Sequence, residues 1–176
     1  MIRNKFEVDK LEQYSRRENL RIVGLPTTEN ENVLEKVLEF GQDLGVDLSK
    51  EDVSTAHRVK SKGKRGDPIL VRFVRREKKQ EMMRLKKRLR EEKKEIYLEE
   101  DLTRMRAAMF FELRRDEGIH SAWTHEGTIF CKTSATQARG IPVDSPDDLF
   151  HLGWTEGRMA EFFRRIMATD PKMRSM

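Results

Sequence analysis

The sequence predicts an α+β fold in which a βαββαβ unit precedes a smaller α+β unit. Residues 20–26 and 69–74 alternate between apolar and polar side chains, as half-buried strands do. Apolar residues at helical spacing follow each strand, at residues 32–44 and 77–92. A separate pattern of helix, hairpin and helix begins near Asp101 and predicts the second unit.

The size and composition of the chain fit two small domains. Its 176 residues are 36% hydrophobic and 38% charged, which predicts a modest core. No apolar run is long enough to cross a bilayer. The single cysteine, Cys131, excludes an intramolecular disulfide and fits a reducing compartment. The predicted segments are an N-terminal helix over 1–18, a βαββαβ domain over 19–100, a C-terminal α+β domain over 101–168 and a flexible tail over 169–176.

The N-terminal segment is predicted to be a helix over residues 2–18. Val8 and Leu11 lie on one side of it, and Asn4 and Ser15 extend that line with polar side chains. Only about two heptads are present, fewer than are needed to predict a coiled coil. Two interpretations stay open: the end of an oligomerising stalk, or a short amphipathic leader packed on the domain. From spacing alone we favour the second.

The four strands of the first unit are predicted at residues 20–26, 53–59, 69–74 and 95–98. Because successive side chains of a strand point to opposite faces, their alternation assigns each side chain to one face of the sheet. The βαββαβ order is ferredoxin-like, and its two helices cover one face of the sheet and leave the other open. Residues 60–68 form a basic loop between the second and third strands. The inward face is predicted to carry Leu20, Ile22, Ile69, Val71 and Phe73. The open face is predicted to carry Arg21, Arg58, Leu70, Arg72 and Tyr97.

The second unit is defined by a helix cap and a hairpin turn. Thr103 is expected to cap a helix that Gly118 ends. The dipeptide Glu126-Gly127 between two apolar runs is a strong signal for a two-residue turn. The predicted elements are a helix over 103–117, strands over 119–125 and 128–132, a loop over 135–146, a helical turn over 148–152 and a helix over 156–168.

Positive charge is concentrated in residues 57–94, which contain 17 basic and 5 acidic side chains. A basic block inside a folded region can neutralise several phosphates, so a nucleic-acid partner is predicted. The alternative is a solvated helix face with a flexible loop. We favour the nucleic acid because charge and fold agree.

RNA recognition motifs have the same element order and stack bases on aromatic side chains of their first and third strands. Here the stacking positions of the third strand hold Pro68 and Leu70, and the first strand has Arg21. Base stacking at these positions is therefore not expected. Arginine can instead bind phosphate, or stack its guanidinium on a base. Tyr97 is the one aromatic residue predicted on the open face, with packing as its alternative role.

No pattern in the sequence predicts catalysis. His120, His125 and Cys131 lie near the hairpin but lack the paired spacings of zinc sites. The acidic run 99–101 offers ligands for magnesium, but a helix start that favours negative charge explains it more simply. We therefore expect a protein that is not an enzyme and that binds no cofactor or metal.

Five segments together carry a resemblance to a known family. They are residues 11–26, which end in Leu-Arg-Ile-Val-Gly-Leu-Pro, and residues 56–59, 68–73, 101–103 and 127–130. In order and spacing they resemble the first open-reading-frame proteins of LINE-type retrotransposons. The resemblance implies a coiled-coil stalk, an atypical RNA recognition motif and a small C-terminal domain. It further implies trimers that coat the RNA of their own element and act as nucleic-acid chaperones without enzymatic activity.

The resemblance also implies where RNA is bound. Members of the family contact RNA through arginines on the sheet, in the loop before the third strand and on the first helix of the C-terminal domain. An aromatic residue of the C-terminal hairpin also contributes. Carried over to this sequence, and with Tyr97 added from the strand pattern, the predicted RNA-binding residues are Arg21, Arg58, Arg65, Arg72, Tyr97, Arg104, Arg106 and Trp123.

The first predicted function is therefore binding and remodelling of single-stranded RNA and DNA in a retrotransposon ribonucleoprotein particle. The predicted location is the cytoplasm, with passage into the nucleus left open, and no membrane partner is expected. A homotrimer through the N-terminal helix is expected where a full stalk is present. Two alternatives remain: a structural self-assembly or host-derived protein-interaction module that uses the basic helix, and, more distantly, a metal-dependent nuclease.

Overall fold

The structure, a computed structural model, describes residues 1–169 and confirms the α+β class. It contains two antiparallel sheets and divides into two compact units. The first unit is Arg16–Asp101, and the second combines Met1–Ser15 with the chain from Leu102 onward. In the described part of the chain, no helix is both long enough and apolar enough to span a membrane.

The first unit is a four-stranded sheet with helices on one face. Its strands are β1 (Asn19–Val23), β2 (Val53–Arg58), β3 (Ile69–Phe73) and β4 (Tyr97–Glu100), in the spatial order β2-β3-β1-β4. Its helices are α2 (Val33–Leu44), α3 (Arg76–Arg84) and α4 (Lys86–Glu91). Leu20, Ile22, Val71 and Phe73 pack against Met82 and Leu89, so the predicted inward face is confirmed.

The helix predicted over 32–44 is confirmed as α2, and local chemistry sets its ends. The Asn32 side chain accepts a hydrogen bond from the Glu35 backbone N–H, and Gly45 adopts the left-handed conformation that ends the helix. The prediction of one helix over 77–92 is wrong, because the chain breaks at Leu85 into α3 and α4. Strand β4 begins two residues later than predicted.

A β-bulge in β2 reverses the predicted faces of that strand. The pairing of β2 with β3 shifts register between Val53 and Thr55, which inserts one extra residue. Beyond the bulge, Ala56 pairs with the buried Val71, whereas His57 pairs with Leu70. Because side chains alternate along a strand, Ala56 and Arg58 lie on the helix-covered side, and the prediction that Arg58 is on the open face is wrong.

The second unit contains a three-stranded sheet, β5 (Ser121–His125), β6 (Thr128–Lys132) and β7 (Ile141–Val143), in the order β5-β6-β7. Glu126 and Gly127 both have positive φ, which confirms the predicted two-residue hairpin turn. The prediction of a loop over 135–146 is wrong at residues 141–143, which form β7. Proline disfavours strands, but β7 is an edge strand, where Pro142 is tolerated. The helices are α1 (Ile2–Ser15), α5 (Arg104–Arg115), α6 (Pro146–His151) and α7 (Glu156–Ala168).

Helix α1 packs in the second unit through a face that its apolar pattern does not mark. Val8 and Leu11, the predicted apolar line, are 65% and 75% exposed. The buried residues of α1 are Phe6, Asp9 and Gln13, and the Phe6 ring meets that of Phe163 edge to face at 5.9 Å. The helix ends at Ser15, three residues earlier than predicted. Residues 170–176 of the predicted flexible tail lie outside the described residues.

Candidate nucleic-acid interface

The open face of the first sheet is the side that no helix of that unit covers. Directly paired residues of neighbouring strands share a face, so the register defines its members. Arg21 pairs with Leu70 on one side and Glu99 on the other, and Asn19 pairs with Arg72. This surface, called the open face below, comprises Asn19, Arg21, Val23, Thr55, His57, Leu70, Arg72, Tyr97 and Glu99.

Two of the predicted arginines lie on the open face and offer donors. The Arg72 side chain is exposed. Arg21 is half-buried, and its Nε atom is buried without a hydrogen-bond partner within residues 1–169. A buried N–H group without a partner is unusual, because almost all such groups are satisfied in native proteins. The Arg21 Nε is therefore an unpaired donor, and because the atom is buried, a ligand oxygen could satisfy it only after the side chain moves outward.

Tyr97 and Arg65 meet at the β4 side of the open face. Tyr97 pairs with Val23 and is exposed. The Arg65 guanidinium, from the basic loop, lies over the Tyr97 ring at 4.1 Å from its centroid. The two predicted residues are thus brought together, and they present a flat cationic and aromatic surface of the kind on which bases stack.

Arg58 is held within the first unit and is not an open donor. Its five N–H groups all have acceptors. Nε and Nη2 donate to the two carboxylate oxygens of Glu31 at 2.8 and 3.0 Å. The others donate to the carbonyl oxygens of Leu25, Asp67 and Pro26. The prediction that Arg58 faces a bound RNA therefore does not fit the geometry, and its role is to tie the β1–α2 loop to β2.

This tie predicts an acid-sensitive contribution to stability. Hydrogen bonds first from Arg58 and then from Lys36 lower the pKa of the Glu31 carboxyl from 4.5 to about 2. Because the folded-state pKa is lowered, the contribution is complete above about pH 4.5 and disappears as the pH falls towards 2. Glu31→Gln should therefore melt below the native protein at neutral pH, and the gap should close on acidification. The melting temperatures of both proteins should be measured by circular dichroism between pH 7 and pH 2. A difference that stays constant over this pH range would contradict a stabilising Glu31–Arg58 ion pair.

In the second unit, the two predicted arginines of α5 have opposite environments. Arg104 is exposed and donates to the Thr169 carbonyl oxygen at 2.5 Å. Arg106 is buried, with its Nε 2.6 Å from Asp9 Oδ2 and its Nη1 2.7 Å from the Gly127 carbonyl oxygen. Arg104 is exposed at the surface, whereas the prediction that Arg106 contacts RNA does not fit its burial.

Trp123 is part of an aromatic surface on the second sheet. Its ring stacks on Phe130, with centroids 5.9 Å apart and planes inclined by 15°. Pro142 pairs with Phe130 and shares that face. A Cβ atom on Gly140 would lie 2.5 Å from the Trp123 ring, so only glycine allows this close approach. Phe130 was missed by sequence reasoning, although its register follows from the Glu126-Gly127 turn.

Helix α5 presents a second feature that sequence reasoning missed. The exposed Phe111 ring lies 5.0 Å from the guanidinium of Arg115, one turn further along the helix. The four-residue spacing is the only signal for this pair, since such residues are neighbours on a helix.

The residues considered for metal or thiol chemistry are not assembled. In residues 1–169, no three histidine, cysteine, aspartate or glutamate side chains group so as to hold a metal ion. Burial raises the pKa of the Cys131 thiol to about 11, and the nearby Asp116 carboxylate adds to this effect. The thiol is therefore overwhelmingly protonated at neutral pH and a poor nucleophile.

Comparisons with known proteins do not assign the chain to a family. No protein-family model matches it, and no curated protein matches it either.

Proposed function

We propose that the protein binds single-stranded RNA and DNA through the open face and acts as a nucleic-acid chaperone, like the first open-reading-frame proteins of LINE-type retrotransposons. In this proposal it carries no catalytic activity of its own. The first unit would be an atypical RNA recognition motif with ferredoxin-like topology. The strand order β2-β3-β1-β4, with all helices of the unit on one face, supports that assignment.

One observation carries the proposal. The open face places Arg21, with its unsatisfied Nε, on β1 between the exposed Arg72 on β3 and the Arg65–Tyr97 pair on the edge strand β4. Phosphate oxygens are the acceptors that guanidinium groups bind most effectively, and the exposed ring offers a stacking surface. Arg104 and Trp123 would add contacts from the second unit. Trimer formation through α1 stays a prediction, for which the exposed Val8 and Leu11 would supply the seam.

The proposal predicts strongly salt-dependent binding. Each phosphate contact with a single strand contributes about −0.7 to the slope of log affinity against log salt. The slope should therefore be about −2.8 or steeper if four arginines each contact one phosphate, namely Arg21, Arg65, Arg72 and Arg104. The measurement is fluorescence anisotropy of a labelled random single-stranded RNA across a salt series. A flat response would contradict phosphate binding and favour the protein-interaction alternative.

A further inference from the structure

A cleft of about 340 Å³ lies beside the free edge of the first sheet. Strand β4 is the last strand in the order β2-β3-β1-β4, so one of its edges has no strand partner within this sheet. Helix α4 and the segment that follows it form the opposite wall of the cleft. Its volume lies at the lower end of the range for ligand sites in proteins, about 300–1,000 Å³.

The cleft is lined by an excess of positive charge. Lys86, Arg90, Lys93 and Lys94 line it, against the two carboxylates of Glu95 and Glu99. Lys94 is ion-paired with Glu92 at 2.9 Å. Lys86, Arg90 and Lys93 have no ion-pair partner within the part of the chain that the structure describes.

The other cations of α4 behave differently. Lys87 lies 3.6 Å from Glu91, and Arg88 lies 2.8 Å from Glu92. Neither of them lines the cleft. Helix α4 thus presents its unpaired cations to the cleft and neutralises those elsewhere on its surface. This sorting points to an anionic occupant.

Tyr97 connects the cleft with the open face. Its side chain belongs to the open face, where Arg65 covers the ring, and it also lines the cleft. A strand bound on the open face can therefore continue over the β4 edge at Tyr97 and reach the cleft, where the lysines and the arginine outnumber the carboxylates of Glu95 and Glu99.

We propose that a bound single strand leaves the open face at Tyr97 and runs into this cleft, where Lys86, Arg90 and Lys93 hold its phosphates. The inference rests on the proposed RNA-binding function and extends its interface beyond the sheet. The phosphate chain is the occupant because the cleft is continuous with the open face and is too small for a folded partner. An acidic peptide is the competing occupant that the experiment separates.

The experiment compares two charge-matched double variants of the full chain. Lys86→Gln with Lys93→Gln removes two cleft cations, and Lys50→Gln with Lys87→Gln removes two exposed cations that do not line the cleft. The cleft variant should lower the salt slope for oligouridylate binding by about 1.4, or two contacts of about 0.7 each. If the plots of log affinity against log salt for the native and variant proteins meet near 1 M salt, this slope difference corresponds to an affinity loss of about 25-fold at 0.1 M salt. The control variant should leave the slope nearly unchanged.

Oligouridylates of increasing length provide the second readout. The affinity of the cleft variant should stop rising at a certain oligouridylate length. The affinity of the native protein should continue to rise with longer oligouridylates. Equal effects of the two double variants would overturn the inference, because only net charge would then matter. Loss of polyglutamate binding in the cleft variant, with RNA binding intact, would overturn it in favour of a peptide. A native protein that binds no RNA would instead overturn the proposed function itself.

Discussion

Replacing Asp9 with alanine should destabilise the second unit by about 3 kcal/mol, because the buried Arg106 guanidinium loses its closest counter-charge and keeps the more distant, partly exposed Asp144 carboxylate at 3.7 Å. The side chains of Asp9 and Arg106 are both only 6% exposed, and Nε lies 2.6 Å from Oδ2. Asp9 also accepts a hydrogen bond from the Thr103 hydroxyl, which in turn caps α5. A single carboxylate thus ties α1 to the start of α5. Arg106→Ala should have an effect of the same size.

The measurement is urea unfolding followed by tryptophan fluorescence. Both tryptophans of the chain, Trp123 and Trp154, belong to the second unit, so the signal reports on that unit alone. Arg104→Ala is the matched control on the same helix, and as an exposed substitution it should change stability by no more than about 0.5 kcal/mol. If Arg106→Ala unfolds like the native protein and only RNA binding suffers, the buried pair is not structural and the resemblance-based role is right.

Replacing Ile22 with alanine should destabilise the first unit by about 2–5 kcal/mol, whereas Arg72→Ala should leave its stability within about 0.5 kcal/mol. Ile22 is 0% exposed and faces the helices, so its truncation leaves a cavity. Arg72 is exposed on the open face. Its removal should instead weaken RNA binding by about 1–3 kcal/mol, as the loss of a charged hydrogen bond does.

Melting by circular dichroism and RNA affinity should be measured on the same variants, with Arg21→Ala and Val71→Ala as a second matched pair. Opposite outcomes are expected: early melting for the apolar variants, and lost affinity with unchanged melting for the arginine variants. Early melting of the arginine variants alone would mean that the faces are reversed and that the proposed interface is the core.

The elements that sequence reasoning predicted well are those fixed by local chemistry. Asn32 and Gly45 bound α2 because a capping side chain and a left-handed residue act within one turn. Glu126-Gly127 sets the hairpin for the same reason. The alternation around Ile22 and Val71 was sufficient to predict which face of the first sheet is buried.

The wrong predictions concern residues whose position depends on a partner far away in the sequence. One extra residue in β2 moved Arg58 to the covered side, and Glu31, far away in the sequence, holds it there. Arg106 is buried because Asp9 supplies its charge from the other end of the chain. The same pair explains why α1 buries a carboxylate and exposes Leu11, against its apolar pattern. Composition and spacing carry no record of such pairings.

Nuclear magnetic resonance mapping of a single-stranded RNA on the ¹⁵N-labelled chain would test the central claim most directly. On addition of an oligouridylate, the largest amide shift changes in the first unit should fall on β1, β3 and β4, around Arg21, Arg72 and Tyr97. Changes confined to α2 and the helix-covered side, or none in the first unit, would contradict an RNA interface on the open face.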